Sequence, residues 1–219
     1  MSMQIPFDLA SPPDYSAAAF IHGASNAEAV NALSDSQKWA NQILVIVGPK
    51  GCGKTHLGHM WAERENAIVL DGADGFVPRR DYRGRALWID NGSQADEYAL
   101  FTLINLVITG EIRALLLCTR DMPATWPVQL PDLRSRLRNL QIARLQEPDE
   151  DVLHAIIAKL FKDRGLVVSD SLIAYLLSHT DRSVNALRRL IIGLDQKAAS
   201  EKVNVTRTFA AKYMQGKLL

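Results

Sequence analysis

The run ILVIV followed by GPKGCGKT, residues 43–55, limits the fold more than any other part of this 219-residue chain. Five successive apolar residues without alternation make a strand buried on both faces, the condition of a strand inside a parallel sheet. The turn after it fits GxxxxGK(S/T): Gly48, Pro49, Lys50, Gly51, Cys52, Gly53, Lys54 and Thr55, with His56 next in the run. Small residues let successive backbone N–H groups face inward around phosphate oxygens, and the helix that starts at Lys54 adds its positive dipole end. Lys54 has the reach for the β- and γ-phosphates of a nucleotide, and the Thr55 hydroxyl is a ligand for Mg2+. The motif therefore predicts ADP or ATP with Mg2+ as the cofactor.

The pattern continues with strand-like runs AIVL (67–70), ALWID (86–90), ALLLC (114–118) and LQIARL (140–145). Between them, a helix is predicted from Lys54 to Arg64. A second lies within 95–109, where apolar residues fall at 100, 101, 103, 104, 107 and 108 and Gly110 is placed to end the helix. Strands alternating with helices imply right-handed crossovers and an α/β fold with a parallel, doubly wound sheet. Ser25 and Asn26 have the chemistry of helix caps ahead of AEAVNAL. Residues 71–85, rich in Asp, Gly and Arg, read as a loop. After Pro148 the texture changes: Asp149, Glu150 and Asp151 open a helix on the side where negative charge suits the dipole. Helical patterns follow at 170–179, 183–199 and 206–214, with no convincing strand. The expected organisation is a tail over 1–20, an α/β nucleotide-binding domain over 21–147 and a small all-helical domain over 148–219.

A formal net charge of +1 excludes a polycation that coats nucleic acid. Cys52 and Cys118 are the only cysteines, a poor disulfide framework that favours a reducing, cytoplasmic setting. The N-terminus lacks the basic and apolar regions of a signal peptide, and no apolar run is long enough for a membrane span.

Asp90 ends the third strand, where a carboxylate can hold Mg2+ through water. Active ATPases of this kind often place a second acid next, to polarise the attacking water. Here that residue is Asn91, which can orient water but cannot accept its proton, so slow hydrolysis is expected. The polar end of the fourth strand is Thr119. Ahead of everything stands QIPFDL, Gln4 to Leu9, a short apolar tag before a double proline. Its glutamine amide can both donate and accept, Ile5, Phe7 and Leu9 offer apolar side chains, and Pro6 would lower the entropy cost of ordering an extended peptide.

Several stretches together resemble one family: GKTHLGHMWA after the strand, FIHGASNAEAVNAL before it, WIDN at 88–91 and LPDLRSRL at 130–137. They are similar to the AAA+ domain of the bacterial replication initiator DnaA, and more closely to its short Hda-type regulatory homologues, over nearly the whole chain. The resemblance implies an AAA+ P-loop sheet followed by a helical lid. It implies that Gln4, Ile5, Phe7 and Leu9 bind the sliding clamp of DNA polymerase, although relatives more often carry Leu at positions 5 and 7. It makes Arg136 an arginine finger acting on the ATP of DnaA, Thr119 a sensor of the γ-phosphate, and Phe20 and Ile21 the packing for adenine. The family's lid arginine aligns with Asn185; Arg182 and Arg188 share its helical face, with Arg188 preferred as the replacement.

The function this implies is a clamp-bound regulator that stimulates ATP hydrolysis by DnaA and so prevents re-initiation. The other class the chain fits is an autonomous AAA+ ATPase or helicase loader; Asn91 and the tag weigh against it. The chain stops after its last predicted helix, without a helix-turn-helix, so direct sequence-specific DNA recognition is not expected. The resident nucleotide and self-association, as a homodimer or dependent on nucleotide, are left open.

Overall fold

The computed structural model describes residues 14–181 and 183–216. The QIPFDL tag and Arg182 lie outside them. Five strands form one parallel sheet: β1 (Ile43–Val47), β2 (Ile68–Asp71), β3 (Ala86–Asp90), β4 (Ala114–Thr119) and β5 (Gln141–Arg144). Their order is β2-β3-β4-β1-β5, so β1 is internal, between β4 and β5. All residues of β1 and β4 are buried, which is why their sequences are continuous apolar runs rather than alternating ones.

The two faces of the sheet are covered by different helices. Leu44 and Ile46 share one face with Trp88, Leu116 and Cys118, and pack against α1 (Ala27–Leu33) and α2 (Lys54–Glu65) through Ala29, Leu57 and Trp61. Trp39 stacks on Trp61 with ring centroids 5.3 Å apart. Ile43, Val45 and Val47 share the other face with Leu87, Ile89, Leu115 and Leu117, under α3 (Glu97–Ile108) and α4 (Pro131–Arg138). This is the period-two geometry of a strand applied to a two-sided core.

Gly58 sets how closely α2 approaches the sheet. A Cβ there would stand 2.1 Å from the Trp88 ring, so only a hydrogen allows this contact. The α2 N-terminus, and the phosphate loop leading into it, are thereby held over the β3 end.

The helix α4 starts at Pro131, a residue suited to the first helical turn, and buries only Leu133 and Leu137. It is the helix that the sequence pattern does not announce. Ser25 and Asn26 also behave differently from simple caps. The Asn26 side chain accepts from Gly23 N–H at 3.1 Å and donates to the Ile21 carbonyl at 2.9 Å, bracing the chain before α1 rather than its first turn.

Beyond β5, α5 (Glu150–Lys162), α6 (Asp170–His179), α7 (Val184–Glu201) and α8 (Arg207–Gln215) bury a third cluster that includes Leu153, Phe161, Leu176, Ile191 and Ala210. Three of the four begin with a side-chain cap: Asp149, Ser169 and Thr206 each accept from a backbone N–H of the first turn. Among the described residues no helix is long and apolar enough to cross a membrane.

Candidate nucleotide site

The loop Gly48–Gly53 joins β1 to α2. Lys54 Nζ donates to the carbonyls of Gly48 and Pro49, each at 2.7 Å, so its ammonium is held inside the arc of its own loop. A phosphate entering that arc would meet an ammonium already in place. Cys52, buried in the same loop, has its thiol pushed up by desolvation, with Lys54 pulling the other way. At neutral pH it is a small packing residue rather than a nucleophile.

Thr55 Oγ1 donates to Asp90 Oδ2 at 2.8 Å. A hydroxyl and a carboxylate on one side of the loop form the all-oxygen donor set that suits a hard divalent cation keeping several waters, and in that sense the site fits Mg2+. The other Asp90 oxygen accepts the Asn91 N–H at 3.0 Å. Asn91 itself has a left-handed backbone, φ 50°, and its side-chain nitrogen is 3.0 and 3.1 Å from the two oxygens of Asp71. The amide after Asp90 is therefore engaged with a carboxylate at the end of β2, a partner that sequence reasoning missed. The signal was present: parallel pairing in register places the last residues of β2 and β3, Asp71 and Asp90, side by side.

Thr119 is buried at the end of β4, and its carbonyl accepts the Gly48 N–H at 3.2 Å. Its hydroxyl lies 3.4 Å from the Asp121 carbonyl, a long bond that a closer acceptor would displace. It stands beside the phosphate loop, joined to it through Gly48.

A cleft opens from the loop toward the helical cluster. Phe20 and Ile21 line one wall, and Gly51, Lys54, Thr55 and His56 form the floor. Val152, Ile156 and Leu160 of α5 supply an apolar flank, and Asn185 and Arg188 of α7 close the far side. Apolar walls with a few convergent polar groups describe a small-molecule site. His56 meets the Ser16 carbonyl at 2.9 Å, with the rings of Tyr15 and Phe20 edge-on at 5.6 and 5.2 Å. Desolvation by burial pushes its imidazole below the usual range, against the opposing pull of Ser16 and Asp14. The segment Asp14–Phe20, read from sequence as tail, thus lies along α2 and contributes to the cleft wall.

The cleft is clasped at two points that the sequence did not reveal. Asp149, the cap of α5, also accepts the Ser25 N–H at 3.3 Å, and the Ser25 hydroxyl faces the Asp149 N–H at 3.4 Å. The Val152 N–H holds the Asp149 carboxyl below the ordinary range, with Ser25 contributing. Gly51, at φ +80°, lies under Ser183, the residue that opens α7.

Arg136 is elsewhere. It lies in the last turn of α4, half-buried, with its guanidinium carbon 5.4 Å from the centroid of the Phe101 ring. It does not line the cleft. Of its neighbours, Arg134 donates to the Val128 carbonyl and Arg138 is exposed.

No protein-family model matches the chain. An uncharacterized protein of Haemophilus influenzae is 24% identical over 233 aligned positions, covering 98% of this chain and 99% of that protein. Domain III of the Thermotoga maritima replication initiation protein DnaA superposes with a TM-score of 0.75 at 20% identity, covering 93% of this chain and 97% of that one. A replication initiator DnaA bound to AMPPCP and single-stranded DNA gives a TM-score of 0.64 at 20% identity, covering 86% and 69%. The Thermotoga maritima RuvB Holliday junction branch migration motor gives 0.64 at 20% identity, covering 80% and 61%. A likeness of this kind speaks to architecture. The chain has the AAA+ fold: a parallel P-loop sheet flanked by helices and followed by a helical lid.

Proposed function

We propose that this protein is a nucleotide-binding regulator of chromosome replication initiation. Held on the sliding clamp by Gln4, Ile5, Phe7 and Leu9, it presents Arg136 to the ATP of DnaA and so stimulates hydrolysis by that partner. Its own site takes ADP or ATP with Mg2+. Gly48 to Thr55 cradle the phosphates, Thr55 and Asp90 hold the cation through oxygen and water, Phe20 and Ile21 pack the base, and Arg188 replaces the lid arginine.

The observation that carries this reading is the separation of Arg136 from its own cleft. It rests on Phe101 in the last turn of α4 and lines no part of the pocket formed by the phosphate loop. An arginine so placed is free to meet a phosphate brought by another chain, where it would offset charge spreading over the transferring group. The commitment of the Asn91 amide to Asp71 supports slow hydrolysis by this chain alone. The likeness to a DnaA that binds AMPPCP supports nucleotide as ligand.

The intact Thr55–Asp90 pair favours a second reading, an autonomous ATPase or helicase loader. One assay separates them: DnaA ATPase with and without this protein, the clamp and DNA. The regulator requires stimulation that depends on all components and falls by about a thousandfold in Arg136→Ala. Deleting residues 1–9 abolishes clamp binding and leaves nucleotide binding unchanged. Brisk turnover by the purified chain, with no effect on DnaA, rejects the regulator.

A further inference from the structure

A second groove, between α1 and α2, takes no part in the nucleotide site. Val30 of α1, Met60 and Trp61 of α2 and Ala17 of the N-terminal segment line it, and Glu63 and Arg64 are its only charged residues. Trp61 is buried, but Val30 and Met60 are only half-buried and leave apolar surface uncovered. Contiguous apolar surface of this kind marks a place where another segment packs. Ala17 ties the groove to the N-terminus. The segment around it is held on α2: a His56 ring nitrogen is 2.9 Å from the Ser16 carbonyl, and the Tyr15 ring stacks on His59 with centroids 4.3 Å apart. Leu9 stands eight positions before Ala17. Extended chain of that length reaches about 26 Å, whereas the whole of α2 is about 18 Å long.

We propose that this groove is the resting place of the chain's own QIPFDL segment, which docks there within one molecule and is thereby held off its partner. The segment has the matching chemistry: Ile5, Phe7 and Leu9 are apolar, and Asp8 is its one charge. Arg64 offers Asp8 a cation, because its guanidinium is 47% exposed and its carboxylate partner, Glu65, is at 3.3 Å. Tethering through residues 10–16 sets an effective concentration in the millimolar range, so an individually weak apolar contact is enough to populate the docked state. Any external site for the segment then sees only the undocked fraction, and its apparent affinity falls by that fraction. The docking stands apart from the reading of QIPFDL as a clamp ligand; the competition rests on that reading.

The test follows the methyl signals of Met60, Met122 and Met214 by NMR in the full chain, with Phe7→Ser as the perturbation. A docked Phe7 ring shifts the Met60 methyl, so Phe7→Ser moves that signal and leaves Met122 and Met214 in place, independently of protein concentration. A Met60 signal that ignores Phe7→Ser overturns the proposal. One that moves only at high protein concentration also overturns it, and makes the groove a face between copies. Adding the sliding clamp to the parent drives Met60 to its Phe7→Ser position. Met60→Glu, checked for an intact melting transition, tightens clamp binding by about three- to tenfold as the competing site is lost. Unchanged clamp affinity in Met60→Glu overturns the competition. If the parent and Met60→Glu both ignore the clamp, the clamp reading is rejected, while the response of Met60 to Phe7→Ser still decides the docking.

Discussion

The contact between Gly51 and Ser183 makes closure of the helical lid on the phosphate loop measurable. Gly51 has φ +80°, and a Cβ built there stands 2.4 Å from Ser183 Oγ, 3.1 Å from its Cβ and 3.4 Å from its Cα. Gly51→Ala therefore incurs two costs. A left-handed backbone at a non-glycine residue costs about 1–2 kcal/mol. Overpacking costs about 1–3 kcal/mol, toward the low end here because the Ser183 hydroxyl can rotate away while its Cβ cannot. The sum is about 2–4 kcal/mol, which for a chain of this size lowers Tm by about 5–15 °C. Ser183 opens α7 without a side-chain capping bond, so Ser183→Gly alone costs only about a few tenths of a kcal/mol. In the double variant the packing cost disappears and the backbone cost stays, so about half of the lost Tm returns. The assay is thermal denaturation of the four proteins without nucleotide, followed by circular dichroism. If Gly51→Ala loses the same Tm with serine or glycine at position 183, the lid does not rest on the loop and the clasped cleft is wrong.

Asp149→Ala lowers Tm at neutral pH because α5 loses its cap and the Ser25 N–H loses its acceptor. The folded carboxyl titrates below its ordinary 3.8, so this contribution is present above that value and is lost as pH falls through the folded pKa; the parent and variant melting curves converge in acid. His56 titrates in the folded chain below its ordinary 6.5, so unfolding takes up a proton once the pH drops under that value and stability declines with it. His56→Gln flattens that decline between about pH 7 and 5, measured by urea denaturation across the range. Phe101→Ala removes the ring under Arg136, a contact worth about 0.5–1 kcal/mol; on the proposed role of Arg136 it reduces stimulation of DnaA hydrolysis several-fold while Phe101→Tyr retains it.

The elements most legible in the sequence are those whose burial leaves a simple pattern. The bounds of β1 and β3 match the runs ILVIV and ALWID because strands covered on both faces carry unbroken apolar sequence. α4 was not legible: its eight residues offer two buried leucines among four charges, too little for a periodicity to emerge. Asp149 could be read as a helix opener because capping is local, but its bond to Ser25 spans 124 positions and has no local trace. Asn91 was legible as a missing acid and not as a partner of Asp71, since the register of β2 against β3 is a property of the sheet rather than of either strand.

The same distinction explains which site residues could be found at all. In a parallel sheet every strand ends at the same edge, so the polar residues that close each apolar run converge there. Gly48 after β1, Asp71 on β2, Asp90 on β3 and Thr119 on β4 are gathered by this rule alone, and the loop's own residues follow from the motif. Arg136 obeys the same topology in the opposite sense. The chain leaves β4 at that edge and must return to the other edge to begin β5, and α4 is the segment that carries it back. An arginine in the last turn of α4 has travelled away from its own phosphates by the time it appears. Its distance from the cleft is thus a consequence of parallel strand order, and a role for Arg136 in phosphate chemistry requires a second protein to bring the triphosphate to it.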